Sequence, residues 1–273
     1  MLRFGDVTRK ISTTCHVFHE QGFSGMASFV RRRFDFHMQM YAAQQVRLVN
    51  LDGCVIDMKR LPDSQTKIDL AKKAYEVAER TLIPKYLDRR LPVIEFGGCI
   101  GVIACITNRL LENPERHVVV EANPLALPLL KETREGNQCT FEILNKAIAY
   151  GVPVVTFRPT SNLCANSLRE NGGEESYVHI PATTLRKIVD ERKFESFNLI
   201  CDIEGHEYDL VLNEPNVLQK ATTIILETHA RLIGDAKNAQ LLDNLANLGF
   251  EIINREETVV VLKQSRELNL QIN

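Results

Sequence analysis

The sequence predicts a doubly wound α/β fold: a seven-stranded, mostly parallel sheet with an antiparallel C-terminal hairpin strand, preceded by a helical and hairpin extension. Three observations predict it. From residue 91 onward seven short apolar runs, "PVIEF", "HVVVEA", "FEILNKAI", "NLICDI", "TIILET", "FEIINR" and "TVVVLK", are separated for the most part by stretches of helical spacing. The runs are rich in β-branched residues, as strands covered on both faces require. Only Glu256 and Glu257 separate the last two runs, so the chain ends in a hairpin and one strand must run antiparallel.

Residues 1–45 carry mixed charge with loosely helical spacing, Val30, Phe34 and Met38 recurring at four-residue steps, and read as an accessory helical segment. In residues 46–58, "VRLVNLDGCVIDM", apolar and polar residues alternate on both sides of Asp52-Gly53, a hairpin with a tight turn. In "PDSQTKIDLAKKAYEVAERTLIPKYLDRR" Ile68, Ala71, Tyr75 and Ala78 share one helical face, with Pro84 as a break or kink. The extension is assigned to residues 1–90 and the main domain to residues 91–273. Within the main domain, helical spacing covers residues 101–112, 124–135, 183–194, 206–213 and 236–248. "VVTFRP" and "YVHIP" read as short extra strands between the third and fourth main strands.

A chain of 273 residues with 44% hydrophobic residues can bury a sizeable core. Its net charge of −2 gives no reason to expect a nucleic-acid partner, and Arg31, Arg32 and Arg33 form too short a run to change that. No stretch is apolar for the length of a membrane span, and "MLRFGDVTRKISTTCHVF" lacks the apolar centre of a signal peptide. Seven cysteines, an odd number without a C-x-x-C pair, suit reduced thiols. A soluble, cytoplasmic protein is expected, and an oligomer is compatible with this reading.

"EFGGCIG" occupies the first strand-to-helix turn, where ligands bind in a sheet of this kind. Glycines there let the backbone approach a ligand closely. At the end of the second strand Glu121 can accept both hydroxyls of a ribose. The dinucleotide fingerprint fails in either frame: from Gly97 the third and sixth positions are Cys99 and Val102, and from Gly98 the third is Ile100. No G-K-[ST] follows, so a P-loop fails too. An acid before the turn is unhelpful beside a pyrophosphate, but Glu95 suits a cationic amino group. S-adenosylmethionine carries an amine, a sulfonium and a ribose, and no phosphate.

"AYEVAERTLIPKYLDRRLPVIEFGGCIGV", "VVVEANP" and "NLICDIEGHEYDLVL" with "TIILETH" resemble, in that order, the FkbM family of S-adenosylmethionine-dependent methyltransferases. The resemblance runs from about residue 68 to residue 263. It implies the Rossmann-like class I methyltransferase sheet and transfer to hydroxyl oxygens of sugars and natural products. Glu95 stands where the family usually has Asp, Gly97 and Gly101 on the turn glycines, and Gly98 on a small residue. Glu121 matches the ribose-binding acid, and Asn145 and Ala147 fall where adenine contacts often lie. Ser167 matches a common serine. Cys99 replaces the usual Asn, and Ile200 replaces a lysine common two positions before Asp202.

"CDIEGHE" places Asp202 at a strand end with Glu204, His206 and Glu207 following within a turn. The next strand ends in "ETH", so Glu227 and His229 emerge at the same edge. Methyl transfer to oxygen needs alignment and removal of the hydroxyl proton. Either a base among Asp202, Glu204, His206, Glu207 and His229 removes it, or a divalent metal on Asp202, Glu204 and Glu227, Mg or Mn, lowers the hydroxyl pKa. A third reading has the acids simply capping the helix that begins near His206. "HEYDL" has Leu210 where a zinc protease needs its second His. The reading is therefore an O-methyltransferase acting on a sugar, glycan or small natural-product hydroxyl. Its rival is a binding or assembly protein that keeps the fold without the chemistry, motivated by Cys99 and Ile200. Polar "RPTSNLCANSLRENGGEES" reads as a loop over the site.

Overall fold

The computed structural model describes residues 28–61, 64–157 and 177–265. Residues 28–45 form helix α1. Strands β1 (Leu48–Leu51) and β2 (Cys54–Asp57) pair antiparallel. Asp52 and Gly53 both take positive φ, 48° and 93°, the turn whose twist matches the two strands. Two helices follow, α2 (Ser64–Ala71) and α3 (Val77–Tyr86), in place of the single expected lead-in helix. The break falls where Lys73 and Glu76 adopt left-handed conformations, while Pro84 lies inside α3.

The main domain then runs β3 (Val93–Phe96), α4 (Val102–Leu110), β4 (His117–Val120), α5 (Leu127–Gly136), β5 (Glu142–Leu144), β6 (Ala147–Ile148), β7 (Val154–Phe157) and β8 (Val178–Thr183). After these come α6 (Leu185–Arg192), β9 (Phe197–Cys201), α7 (Glu207–Asn213), α8 (Pro215–Leu218) and β10 (Ala221–Glu227). The described chain closes with α9 (Ala230–Ile233), α10 (Asp235–Asn247), β11 (Phe250–Glu256) and β12 (Val259–Gln264). Seven strands form one sheet in the order β11-β12-β10-β9-β3-β4-β5. Every pairing in it is parallel except those of β12, which is antiparallel to both β10 and β11. The doubly wound sheet with a terminal hairpin is thus present as expected.

One strand of the sequence reading divides in two. "FEILNKAI" supplies β5 to the main sheet and then β6 to a separate sheet of order β6-β8-β7. The side-chain amide of Asn145 donates to the Glu121 carbonyl at 2.8 Å and Lys146 N–H turns back on the Leu144 carbonyl, which redirects the chain between the two strands. The two extra strands, β7 and β8, pair antiparallel.

Both faces of the inner strands of the main sheet are buried, as their β-branched residues require. Ile94, Phe96, Leu199, Cys201, Ile224 and Leu226 pack against apolar residues of α6, α7, α8 and α10. On the other face Val93, Ile200 and Ile225 lie with Leu82 and Ile83 of α3. Val119 packs with α4, α5 and the β1–β2 hairpin. This arrangement holds α3 beside β10 and β12. The first strand, β3, has β4 on one side and β9 on the other, which makes the carboxyl edge between β3 and β9 the point where strand order reverses.

Leu82 is fully buried beneath α3, so Leu82→Ala leaves a cavity there. The expected loss is about 2–5 kcal/mol of stability, read as a lower midpoint in urea unfolding. An unchanged midpoint would mean that α3 is not docked on the sheet.

Candidate active site

The turn after β3 is built on close approach. A Cβ on Gly97 (φ 94°) would lie 1.9 Å from the backbone oxygen of Asp202, so only glycine fits. Gly101 (φ 86°) caps the N-terminus of α4, and a Cβ there would meet Leu130 at 2.9 Å. Gly98 sits against Val119. Between them Cys99 takes a left-handed conformation, φ 40°, which Asn tolerates better than Cys.

Glu121 holds this turn from the next strand. Its Oε2 accepts from Cys99 N–H at 2.7 Å and its Oε1 from Asn123 N–H at 2.6 Å. Burial pushes its pKa up to about 7 despite those bonds. Asn145 fixes the Glu121 backbone through its side-chain amide. Ala147 pairs with Ala182 and belongs to the apolar core of the small sheet with Ile180.

Glu95 is 1% exposed and its Oε2 lies 3.1 Å from His117 Nε2. The expected amine ligand is thus half engaged inside the sheet. Its Oε1 has no hydrogen-bond partner among the described residues, and the same is true of Asn123 Nδ2 and Asp202 Oδ1. Buried polar atoms in native folds are normally paired. An unpaired acceptor at β3, an unpaired donor after β4 and the Glu121 carboxylate fit a ligand that carries a cationic amine and hydroxyls. The residues present therefore suit S-adenosylmethionine, with Glu121 able to hold its ribose.

The acidic loop after β9 is shaped by Glu207. This side chain is fully buried, and its two oxygens accept from Ile203 N–H and Gly205 N–H, both at 2.9 Å. Glu204 and Gly205 take positive φ within the loop. His229 stands at its centre. Its Nδ1 is 3.0 Å from Glu207 Oε1, and its Nε2 is 3.4 Å from Asp202 Oδ1 and 3.6 Å from Glu204 Oε2. Burial opposes protonation of this imidazole, but Glu207, with Asp202 and Glu227, outweighs it and raises the pKa to about 9. Burial and the neighbouring carboxylates, Glu227 foremost for Asp202, hold the Asp202 and Glu204 pKa values above the ordinary range, with His229 pulling the other way.

Four of the acids and imidazoles singled out in the sequence therefore meet: Asp202, Glu204, Glu207 and His229. Glu227 adds its charge from the end of β10, while its Oε1 accepts from the Thr258 hydroxyl at 2.9 Å. His206 does not join them, because its Nδ1 faces Asp209 Oδ2 at 3.6 Å on its own helix. Ser167 lies outside the described residues. Asp202, Glu207 and His229 offer donor atoms all within 4.8 Å of one another, the set that geometry allows for a cation.

Sequence reasoning missed Glu79. It is a buried acid on α3, its pKa pushed up to about 7 by burial and by the charges of Glu227 and Glu257. The signal was readable: Glu79 stands four residues after Tyr75 and four before Ile83, both buried, so an acid sits on the apolar face of the helix.

The Methyltransferase FkbM domain model matches residues 95–252. The chain belongs to the FkbM methyltransferase family. It is an S-adenosylmethionine-dependent methyltransferase. The hexuronic acid methyltransferase AglP of Haloferax volcanii is 26% identical over 176 residues, which cover 63% of this chain and 70% of that protein. Among solved structures, an O-methyltransferase from Bacillus cereus in complex with SAH is 11% identical, covering 68% of this chain and 79% of that one at a TM-score of 0.41. Precorrin-6y C5,15-methyltransferase from Geobacter metallireducens is 10% identical, covering 69% and 89%, at a TM-score of 0.42.

The raised pKa of Glu121 fixes the sign of a pH effect. Between 4.5 and about 7 the folded chain holds a proton that the unfolded chain has released, so this group lowers stability as pH rises through that window. Glu121→Gln removes the titration and also costs one acceptor for a turn amide, about 1–3 kcal/mol. The stability gap between wild type and variant, measured by urea unfolding, is expected to narrow as pH rises from 4.5 to about 7. A gap independent of pH would show that Glu121 titrates as an ordinary acid.

Proposed function

We propose that this chain transfers the methyl group to a hydroxyl oxygen of a sugar, glycan or small natural-product acceptor. The observation that carries the reading is the contact of the Asp202 carbonyl with Gly97, which makes the acidic loop and the glycine turn one continuous surface. The relative named as a hexuronic acid methyltransferase supports a sugar acceptor.

When bound, S-adenosylmethionine supplies an electrophilic methyl group on a sulfonium. Gly97, Gly98 and Gly101 would let the backbone approach it, Glu121 would accept from its ribose hydroxyls, and Glu95 Oε1 would be the acceptor for its amine. Asn145 acts through Glu121, by fixing its carbonyl. A histidine with a pKa of about 9 carries its proton at neutral pH, so His229 is a poor base and a good counter-charge. Asp202 is the base: its carbonyl abuts Gly97 of the cofactor turn and its carboxylate stands 3.4 Å from the His229 imidazole, so it is placed to take the proton that the acceptor hydroxyl gives up. Glu207 holds His229, and His229 in turn orients Asp202 and Glu204.

A second reading places a divalent cation among these groups, favoured by the convergence of Asp202, Glu207 and His229 and by the excess of carboxylates there. Glu204 and Glu227 would complete its shell.

Product chemistry tests the acceptor. With labelled methyl donor and hexose or hexuronic acid acceptors, a methyl ether survives alkali, whereas a methyl ester formed on a carboxyl group is cleaved. Alkali-labile product would overturn transfer to a hydroxyl. Asp202→Asn is expected to lower kcat by about 10²–10⁴ while S-adenosylhomocysteine affinity persists; retained turnover removes Asp202 as base. Turnover that survives a chelator supports the metal-free reading, and loss restored by Mn or Mg supports the cation. Glu121→Ala should abolish S-adenosylhomocysteine binding in calorimetry, and an unchanged Kd would remove the ribose assignment.

A further inference from the structure

Helix α1 has an apolar face that the rest of the described chain does not cover. Its inner side is fixed to the body: Ala43 is 1% exposed, and Gln39 Oε1 accepts from Lys72 Nζ at 2.8 Å. On the opposite side, at about 100° per residue, Val30, Phe34, Met38 and Tyr41 fall within about 80° of one another. They are 54%, 63%, 52% and 64% exposed. A soluble helix normally turns charge outward, so four large apolar side chains in one outward stripe mark a surface that meets something apolar.

Charge identifies what it meets. Arg31 and Arg33 border this stripe on its two sides, while Arg32 falls on the inner side of the helix with Gln39 and Ala43. Residues 1–45 hold six Lys or Arg against three Asp or Glu, while residues 46–273 hold 27 against 32. A basic segment on an acidic body is attracted to an anionic surface and keeps the body turned away from it. Arginines beside an apolar stripe can bury their stems and leave their guanidinium groups at the polar boundary, and Tyr41 has the same divided character. Two copies of this chain pairing through the stripe would instead bring arginine borders together with only Asp35 on each helix to neutralise them. No described helix is long and apolar enough to cross a membrane, so contact would be with its surface.

We propose that the outer face of α1 docks on an anionic lipid surface, lying in the interface with Val30, Phe34, Met38 and Tyr41 inserted and Arg31 and Arg33 at the headgroups. The chain thereby becomes a peripheral enzyme with α1 toward the lipid. This claim is independent of the identity of the methyl acceptor.

Co-sedimentation of the full chain with vesicles tests it. With phosphatidylcholine vesicles containing phosphatidylglycerol the chain is expected to sediment, and with phosphatidylcholine alone to remain in solution. Raised salt should release it. Phe34→Ser with Met38→Ser should lower the partition coefficient at least about tenfold. Arg31→Glu should weaken binding while leaving the stripe intact. The thermal midpoint should change little in both variants, because these side chains are exposed. No sedimentation with anionic vesicles, equal binding to neutral ones, or wild-type binding by the Ser variant would each overturn the proposal. So would a wild-type dimer in sedimentation velocity that the Ser variant converts to monomer without any vesicle binding.

Discussion

The close approach of Gly97 to the Asp202 carbonyl governs the site. Those two backbone segments follow adjacent parallel strands, β3 and β9, and Asp202 N–H also donates to the Phe96 carbonyl at 2.9 Å. Any side chain at position 97 would force the strands' exits apart. The ligand surface on the turn and the acids of the β9 loop would then part with them. A single missing Cβ thus joins two regions more than a hundred residues apart in sequence.

Glu207 does comparable work for the loop itself. Residues 202–206 contain two left-handed conformations in succession, Glu204 and Gly205, and such a loop needs its amides satisfied to persist. The buried Glu207 carboxylate accepts two of them and also meets His229. Reading its acid as a helix cap near the dipole is therefore incomplete. The carboxylate stabilises the loop that precedes the helix, and through His229 it brings a counter-charge to Asp202 and Glu204.

Local chemistry was legible in the sequence where local chemistry decides. The glycine turn, the acid ending the second strand and the Asp202-to-Glu207 cluster are contiguous residues at strand ends, and the alternation of apolar runs was enough to place them on one edge. What was not legible depends on tertiary contacts. The split of β5 from β6 comes from Asn145 reaching the Glu121 backbone. The partial withdrawal of Glu95 comes from His117 on a neighbouring strand. His206 and His229 look equivalent as sequence, but His206 pairs with its own helix while His229 is carried into the acids by β10. Glu79 lies on α3 and reaches the same edge only because Leu82 and Ile83 seat that helix on the sheet.

The pKa shifts point to the same edge of the sheet. Glu79, Asp202 and Glu204 are all pushed above the ordinary carboxylate range, by burial first and by one another's charge or that of Glu227. A fold selected only for stability would replace such groups with amides or apolar residues, because each ionised form is held out of water. Their concentration in one place, beside a turn whose own acid is also shifted, marks repulsion that a bound cation, a protonated imidazole or a hydroxyl donor relieves. His229 relieves part of it in the chain alone. The remainder is free energy that the fold gives up in order to receive a ligand, and it explains why these carboxylates stand together at the edge where the strand order reverses.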